Sequence, residues 1–199
     1  MAKAGWVILN PQSGSGNSTV DVTANVHTGR TVRSTTLTFK AANVNDVTRT
    51  VKQAGKPEFV DMEDTAASDK TGKIVTISGI SNSSKLTFSL GTGDLDILLP
   101  NKYTANSATV DNGSEISGDP GATAQYDFSI AISVPSNTGI TALTRQLIVE
   151  DGAGHRDTCT ITLAAGDAYL NVQIGDIELD YQGNKVSISV ESNTSWSIV

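Results

Sequence analysis

The chain has 199 residues, of which 38% are hydrophobic and 18% charged, and a formal net charge of −7. That length suits one large domain or two of about 100 residues. The acidic balance, with Lys and Arg scattered, disfavours nucleic acid and anionic membranes as partners, since both need a basic patch. The single cysteine, Cys159, excludes an intrachain disulfide, and no stretch approaches the roughly 20 apolar residues of a membrane-spanning helix.

The chain opens on MAKAGWVILNPQ, with one Lys and a very short apolar run, which does not read as a signal peptide. With Met1 as the natural start, the protein is expected to be made in a cytoplasm and not exported by the usual route. Period-two runs rich in Val, Ile, Thr and Phe then follow at 18–26, 34–40, 46–53, 73–80, 85–90, 126–134, 145–150, 157–164, 176–180 and 185–190, bounded by Gly, Asn, Ser, Asp and Pro. Nearest to a helical pattern are DVTANVH and NVNDVTRTV, and their β-branched content argues against helix. The acidic PEFVDMEDTAASD (57–69) reads as a solvated linker, with a cation site as the sharper alternative. Cys159 alternates with Ile161 and Leu163, as a buried strand residue does. The expected architecture is all-β, built of antiparallel sandwiches.

A repeat organises these strands. GKIVTISGISNSSKLTF (72–88) aligns without gaps on GNKVSISVESNTSWSIV (183–199), 111 positions later: Val75 meets Val186, Ile77 meets Ile188, and SNSS meets SNTS. Residues 33–55 align on 145–166: each opens on Arg, runs out and back, and closes on Ala-Gly, and upstream Asn25 and Gly29 answer Asn137 and Gly139. Residues 57–166 therefore read as one whole unit, and 1–55 and 168–199 as the back and front parts of another, complementary halves that are expected to complete each other between neighbouring copies. The two flanks together have the length of one small sandwich, and this places Trp196 near one end of the chain and Trp6 near the other.

These motifs carry a resemblance. Trp6 and Trp196, the latter after a Ser-Asn turn, the Ser-Gly-x-Gly-Asn of residues 13–17, the Asn25 to Arg33 spacing and the Val-x-Gln-x-Gly of 51–55 resemble the BACON domain, a Bacteroidetes-associated carbohydrate-binding, often N-terminal module. Residues 1–55 look like its later two-thirds, and 168–199 like its first third. The central unit departs from the pattern, with Lys85 in place of the Trp and Leu-Ala-Ala-Gly closing it at 163–166, and is better described as Ig-like. The resemblance implies tandem Ig-like (BACON-like) antiparallel β-sandwiches without catalytic activity. Such modules occur in surface enzymes of gut Bacteroidetes and in virion proteins of their phages, including crAss-like phages.

The residues offer little chemistry. Of the two histidines, His27 and His155, the second lies near Asp157 in GAGHRD, which reads as a hairpin tip rather than part of a Ser-His-Asp set. No Cys/His cluster has zinc spacing and no glycine loop precedes a helix, so no enzyme activity and no cofactor are expected. Asp94 and Asp96, and Asp119 of a Pro-Gly turn, suit turn chemistry, with calcium as the alternative. Sugar sites want exposed flat aromatics; the candidates are Trp6, Trp196, Tyr103 and Tyr181, and both tryptophans read first as core residues.

Two functions are expected from different classes. One is a structural part of a bacteriophage virion, a capsid decoration, auxiliary or head-fibre protein, with copies of itself and other virion proteins as partners. Its half-units would join through Trp6, Val7, Ile8, Ile188, Val190, Trp196 and Ile198. The alternative is a module of a Bacteroidetes cell-surface protein that binds carbohydrate such as mucin glycans.

Overall fold

A computed structural model of the chain describes residues 3–173 and 175–199. Fifteen strands are placed among them: β1 Val7–Asn10, β2 Asp21–Ala24, β3 Arg33–Phe39, β4 Val47–Gln53, β5 Val60–Met62, β6 Thr65–Ser68, β7 Lys73–Ser81, β8 Leu86–Gly93, β9 Lys102–Ala105, β10 Ala108–Asp111, β11 Tyr126–Val134, β12 Leu143–Asp151, β13 Arg156–Leu163, β14 Leu170–Val172 and β15 Val190–Ser192. One 3-10 turn, Pro120–Ala122, is the helical piece among the described residues. The chain is all-β and forms a β-sandwich, as its alternation predicts.

The sandwich lies between residues 60 and 163. Its two sheets have strand orders β10-β9-β11-β7-β5 and β6-β13-β12-β8. The long strands follow their period: in β7 Val75 and Ile77 point inward, in β11 Phe128, Ile130, Ile132 and Val134, and in β13 Cys159, Ile161 and Leu163. The two inward faces interdigitate in one core. At its centre Phe88 packs on Tyr103, ring centroids 5.0 Å apart, and on the edge of Phe128, 5.9 Å away. A side chain at Gly79 would run into the Phe128 ring and the Asp61 carbonyl, so β7 needs glycine there.

The acidic segment 57–69 corrects the expectation of a linker. It forms β5 on one sheet and β6 on the other, and β6 pairs in parallel with β13. The chain crosses between sheets at Glu63 and Asp64, where the Thr160 amide donates to the Asp64 carbonyl and the Met62 amide to Asp157 Oδ2 at 2.6 Å. Asp61, Glu63, Asp64 and Asp69 are exposed while Met62 and Ser68 are buried, so the segment's charge coexists with strand structure.

Outside this sandwich the strands come in pairs. β1 pairs with β2, β3 with β4, and β14 with β15, and among the described residues each pair is a two-stranded sheet of its own. Residues 176–180, expected as a strand, and all of 185–190 except Val190 carry no strand assignment.

Candidate functional site: a repeated joint and the faces it leaves open

The sequence repeat SNSS/SNTS builds the same local structure twice. β5 pairs with β7 in the register Val60 to Ser81 and Met62 to Gly79; β14 pairs with β15 in the register Leu170 to Ser192 and Val172 to Val190. Each pair ends on an asparagine that ties it to the unit before. Asn82 Oδ1 accepts from the Phe59 amide (3.0 Å), and its Nδ2 donates to the carbonyls of Thr28 (3.2 Å) and Lys56 (3.3 Å). Asn193 Oδ1 accepts from the Tyr169 amide (3.0 Å), and its Nδ2 donates to the carbonyls of Thr138 (3.2 Å) and Asp167 (2.9 Å). The neighbouring serines repeat as well: Ser81 Oγ donates to the Phe59 carbonyl and Ser192 Oγ to that of Tyr169, and each accepts from the amide two residues on.

An asparagine suits this place because one short side chain offers both an acceptor and two donors. Asn82 is fully buried, so every one of those bonds replaces water it has lost. A glycine precedes each linker carbonyl: a side chain on Gly55 would strike the Arg30 carbonyl, and one on Gly166 would crowd the Asn137 carbonyl. The first joint has a further element. Arg30 and Thr31 amides donate to the Gly121 and Ala122 carbonyls, and the Arg30 guanidinium forms a two-pronged ion pair with Asp119. Hydrogen bonding to Arg30 lowers the Asp119 carboxyl below its ordinary range and raises Arg30 in turn. Asp119, weighed for calcium in sequence, is engaged by this arginine.

The flanks leave apolar side chains uncovered. Ile8 is 49% exposed, and Ile188, Trp196 and Ile198 are likewise open to solvent; Val190 is half-buried. Val7 differs from this set, being fully buried within its own flank. Trp6 is half-buried and lies under the Arg33 guanidinium, 4.6 Å from its ring centre, a cation–π contact that occupies one face of the indole. Tyr103 corrects the expectation of a sugar-facing ring: β9 turns it inward, 3% exposed, with its hydroxyl accepting from the Leu86 amide. Tyr181, 95% exposed, is the freest aromatic of the four.

Other singled-out residues hold turns. Asp151 is buried and accepts from the Ala153 and His155 amides, and His155 Nδ1 lies 2.8 Å from its other oxygen, closing the β12–β13 hairpin. Asp157 faces the Met62 amide instead of His155. Asp94 accepts from the Thr144 amide, and among the described residues no group of three or more His, Cys, Asp or Glu is placed to hold a metal. Burial pushes the Cys159 thiol up to about 11. Sequence reasoning missed a shallow groove of about 700 Å³ on the outer face of the five-stranded sheet, where Asp61, Glu63 and Asp127 stand beside Ser78, Thr104 and Ser129. Those residues lie on or directly beside four different strands, β5, β7, β9 and β11, where they alternate with core positions, and no local motif marks them.

In a comparison with protein families, residues 1–54 match the model of the BACON family, described as a putative binding domain, N-terminal. The match covers the N-terminal flank. A search of curated proteins finds no match to the chain.

Proposed function

We propose that the chain is a non-catalytic array of β-sandwich modules whose work is binding, with carbohydrate as the ligand class. The family match of residues 1–54 carries this reading, since it is to a binding domain and not to an enzyme. Two features of the fold support it. The Asn82 joint holds neighbouring modules by side-chain and backbone bonds at once, which suits a protein that displays a ligand surface. The groove on the five-stranded sheet offers carboxylates and hydroxyls to a hydroxyl-rich ligand, and Tyr181 offers an exposed ring. On this reading the protein works at a bacterial cell surface.

The test is retention of the full chain on immobilised mucin O-glycans and on a glycan array. Saturable binding that falls at least tenfold in Asp127→Ala or Tyr181→Ala supports the reading. Absence of binding across the array overturns it.

A second reading makes the same array a structural part of a bacteriophage virion, as a capsid decoration or head-fibre protein with itself and other capsid proteins as partners. The open apolar faces of the two flanks favour it, because an assembling protein carries such faces into its neighbours. Antibody to the chain that labels intact phage particles supports this reading, and labelling confined to cell envelopes contradicts it.

A further inference from the structure

Strand register arranges the groove on the five-stranded sheet in two rows. In the first, Asp61 of β5, Ile80 of β7 and Asp127 of β11 lie side by side, since Asp61 pairs with Ile80 and Ile80 with Asp127. In the second, Ser78, Ser129 and Thr104 lie side by side on β7, β11 and β9, and Glu63 joins them through its amide bond to the Ser78 carbonyl. Residues paired across neighbouring strands share one face of a sheet, so Asp61 and Asp127 flank Ile80, about 10 Å apart at about 4.8 Å per strand. Ile80 is half-buried, which gives the groove an apolar floor between two charges with a line of hydroxyls beside it.

The charge of this groove is uncompensated. Elsewhere in the sandwich carboxylates are engaged: Asp94 by the Thr144 amide, Asp111 by Lys102, Asp119 by Arg30, Asp151 by His155 and Asp157 by the Met62 amide. Among the described residues no ion pair reaches Asp61, Glu63 or Asp127, and no Lys, Arg or His lines the groove. Lys102, which alternates onto the same side of β9 as Thr104, is taken by Asp111. A recess lined by one sign of charge draws in ligands of the other sign. The three carboxylates are spread over two rows rather than gathered round a point, and among the described residues no group of three is placed to hold a metal. The complement is therefore an extended ligand with several separate positive groups.

We propose that this groove binds a carbohydrate chain bearing free amino groups, of the glucosamine type, an assignment that rests on the carbohydrate reading above and narrows its ligand class. The ammonium groups pair with Asp61, Glu63 and Asp127 in charge-assisted hydrogen bonds. The C–H face of a sugar ring lies on Ile80, and ring hydroxyls exchange hydrogen bonds with Ser78, Thr104 and Ser129. N-acetylation removes the positive charge and leaves the carboxylates unpaired. A sialic acid or a sulfate brings like charge against them, so the groove selects against both kinds of chain.

Titration calorimetry of the full chain with a glucosamine hexamer and with its fully N-acetylated counterpart tests the assignment, at a pH where the sugar amine is charged. The two ligands share a sugar backbone and differ in charge. The glucosamine hexamer should bind at least tenfold more tightly, and its affinity should fall at least threefold as salt rises from about 50 mM to about 300 mM. The triple variant Asp61→Asn, Glu63→Gln, Asp127→Asn alters exposed side chains and keeps their shape, and should bring the two affinities within about threefold of each other. Equal binding of the two hexamers by the parent overturns the proposal. So does a preference for the amine that the triple variant keeps, which would place the effect in the net charge of the chain. A lysine hexamer that binds as tightly as the glucosamine hexamer shows a face for cationic peptides and overturns the sugar assignment. N-acetylated or neutral glycans bound without preference for the amine overturn this proposal and leave the carbohydrate reading standing, whereas retention of no sugar at all overturns both.

Discussion

Ile77 and Ile188 occupy equivalent places 111 residues apart, near the same serine-asparagine turn, yet Ile77 is fully buried and Ile188 is 40% exposed. Val75 and Val186 differ likewise, 7% against 47%. Local sequence is nearly the same on both sides of this comparison. What differs is the second sheet: β12 and β13 cover Ile77, while the described residues lay no sheet over Ile188. A strand's alternation therefore names the face that seeks a core and leaves open where the other half of the core comes from.

The comparison breaks most visibly under truncation of equivalent residues. Ile77→Ala deletes methylene groups from a packed interior and should lower the stability of the central sandwich by about 2–5 kcal/mol in urea unfolding of dilute protein. Ile188→Ala in the same experiment should stay within about 0.5 kcal/mol of the parent. Equal losses at the two sites would show that the C-terminal flank already shares the central core.

A smaller difference is expected at the joints. Asn82→Ala leaves the Phe59 amide and the Thr28 and Lys56 carbonyls without their partner in a buried setting, which costs about 1–3 kcal/mol. Asn193→Ala should cost less, because the polar groups around it are exposed and water replaces the lost bonds. Thermal unfolding of both variants measures the ordering; a larger loss at Asn193 contradicts it.

The smallest effect concerns Asp119. Its carboxyl titrates below its unfolded value because Arg30 binds the charged form. The stability this pair adds is therefore complete above the ordinary carboxylate range and is lost as pH falls through the lowered value. Asp119 is partly exposed, so water screens the pair and its worth is about 0–1 kcal/mol. Asp119→Asn should lower stability at neutral pH by about 0–1 kcal/mol and converge on the parent as pH falls from about 5 to 2, which flattens the acid limb. An acid limb identical to the parent's would remove Asp119 from the joint's electrostatics.

Much of this was legible in sequence. The strands expected at 73–80, 126–134 and 157–164 lie within a residue or so of β7, β11 and β13, because long uninterrupted alternation on a buried face has one reading. β5 and β6 were hidden by the carboxylates of Asp61 within β5 and of Glu58, Glu63, Asp64 and Asp69 around the two strands, whose charge suggests solvent although Met62 and Ser68 between them are buried. β9 and β10 were hidden by the polar run NKYTANSATVD, in which Tyr103 has neighbours as polar as those of Tyr181 in LDYQGN, so nothing distinguishes the core ring from the exposed one. The repeat exposed the paired asparagines, but not their role. Their partners are main-chain carbonyls at Thr28, Lys56, Thr138 and Asp167, and a main-chain acceptor leaves no mark in the sequence.

Hydrogen exchange on the full chain addresses the contrast between the central sandwich and the flanks directly. In dilute protein the amides of β7, β11 and β13 should exchange slowly while those of β3, β4, β14 and β15 exchange within seconds to minutes, since two-stranded sheets without a covering layer open easily. Flanks as protected as the centre would contradict the account, for they would then be covered as the central strands are.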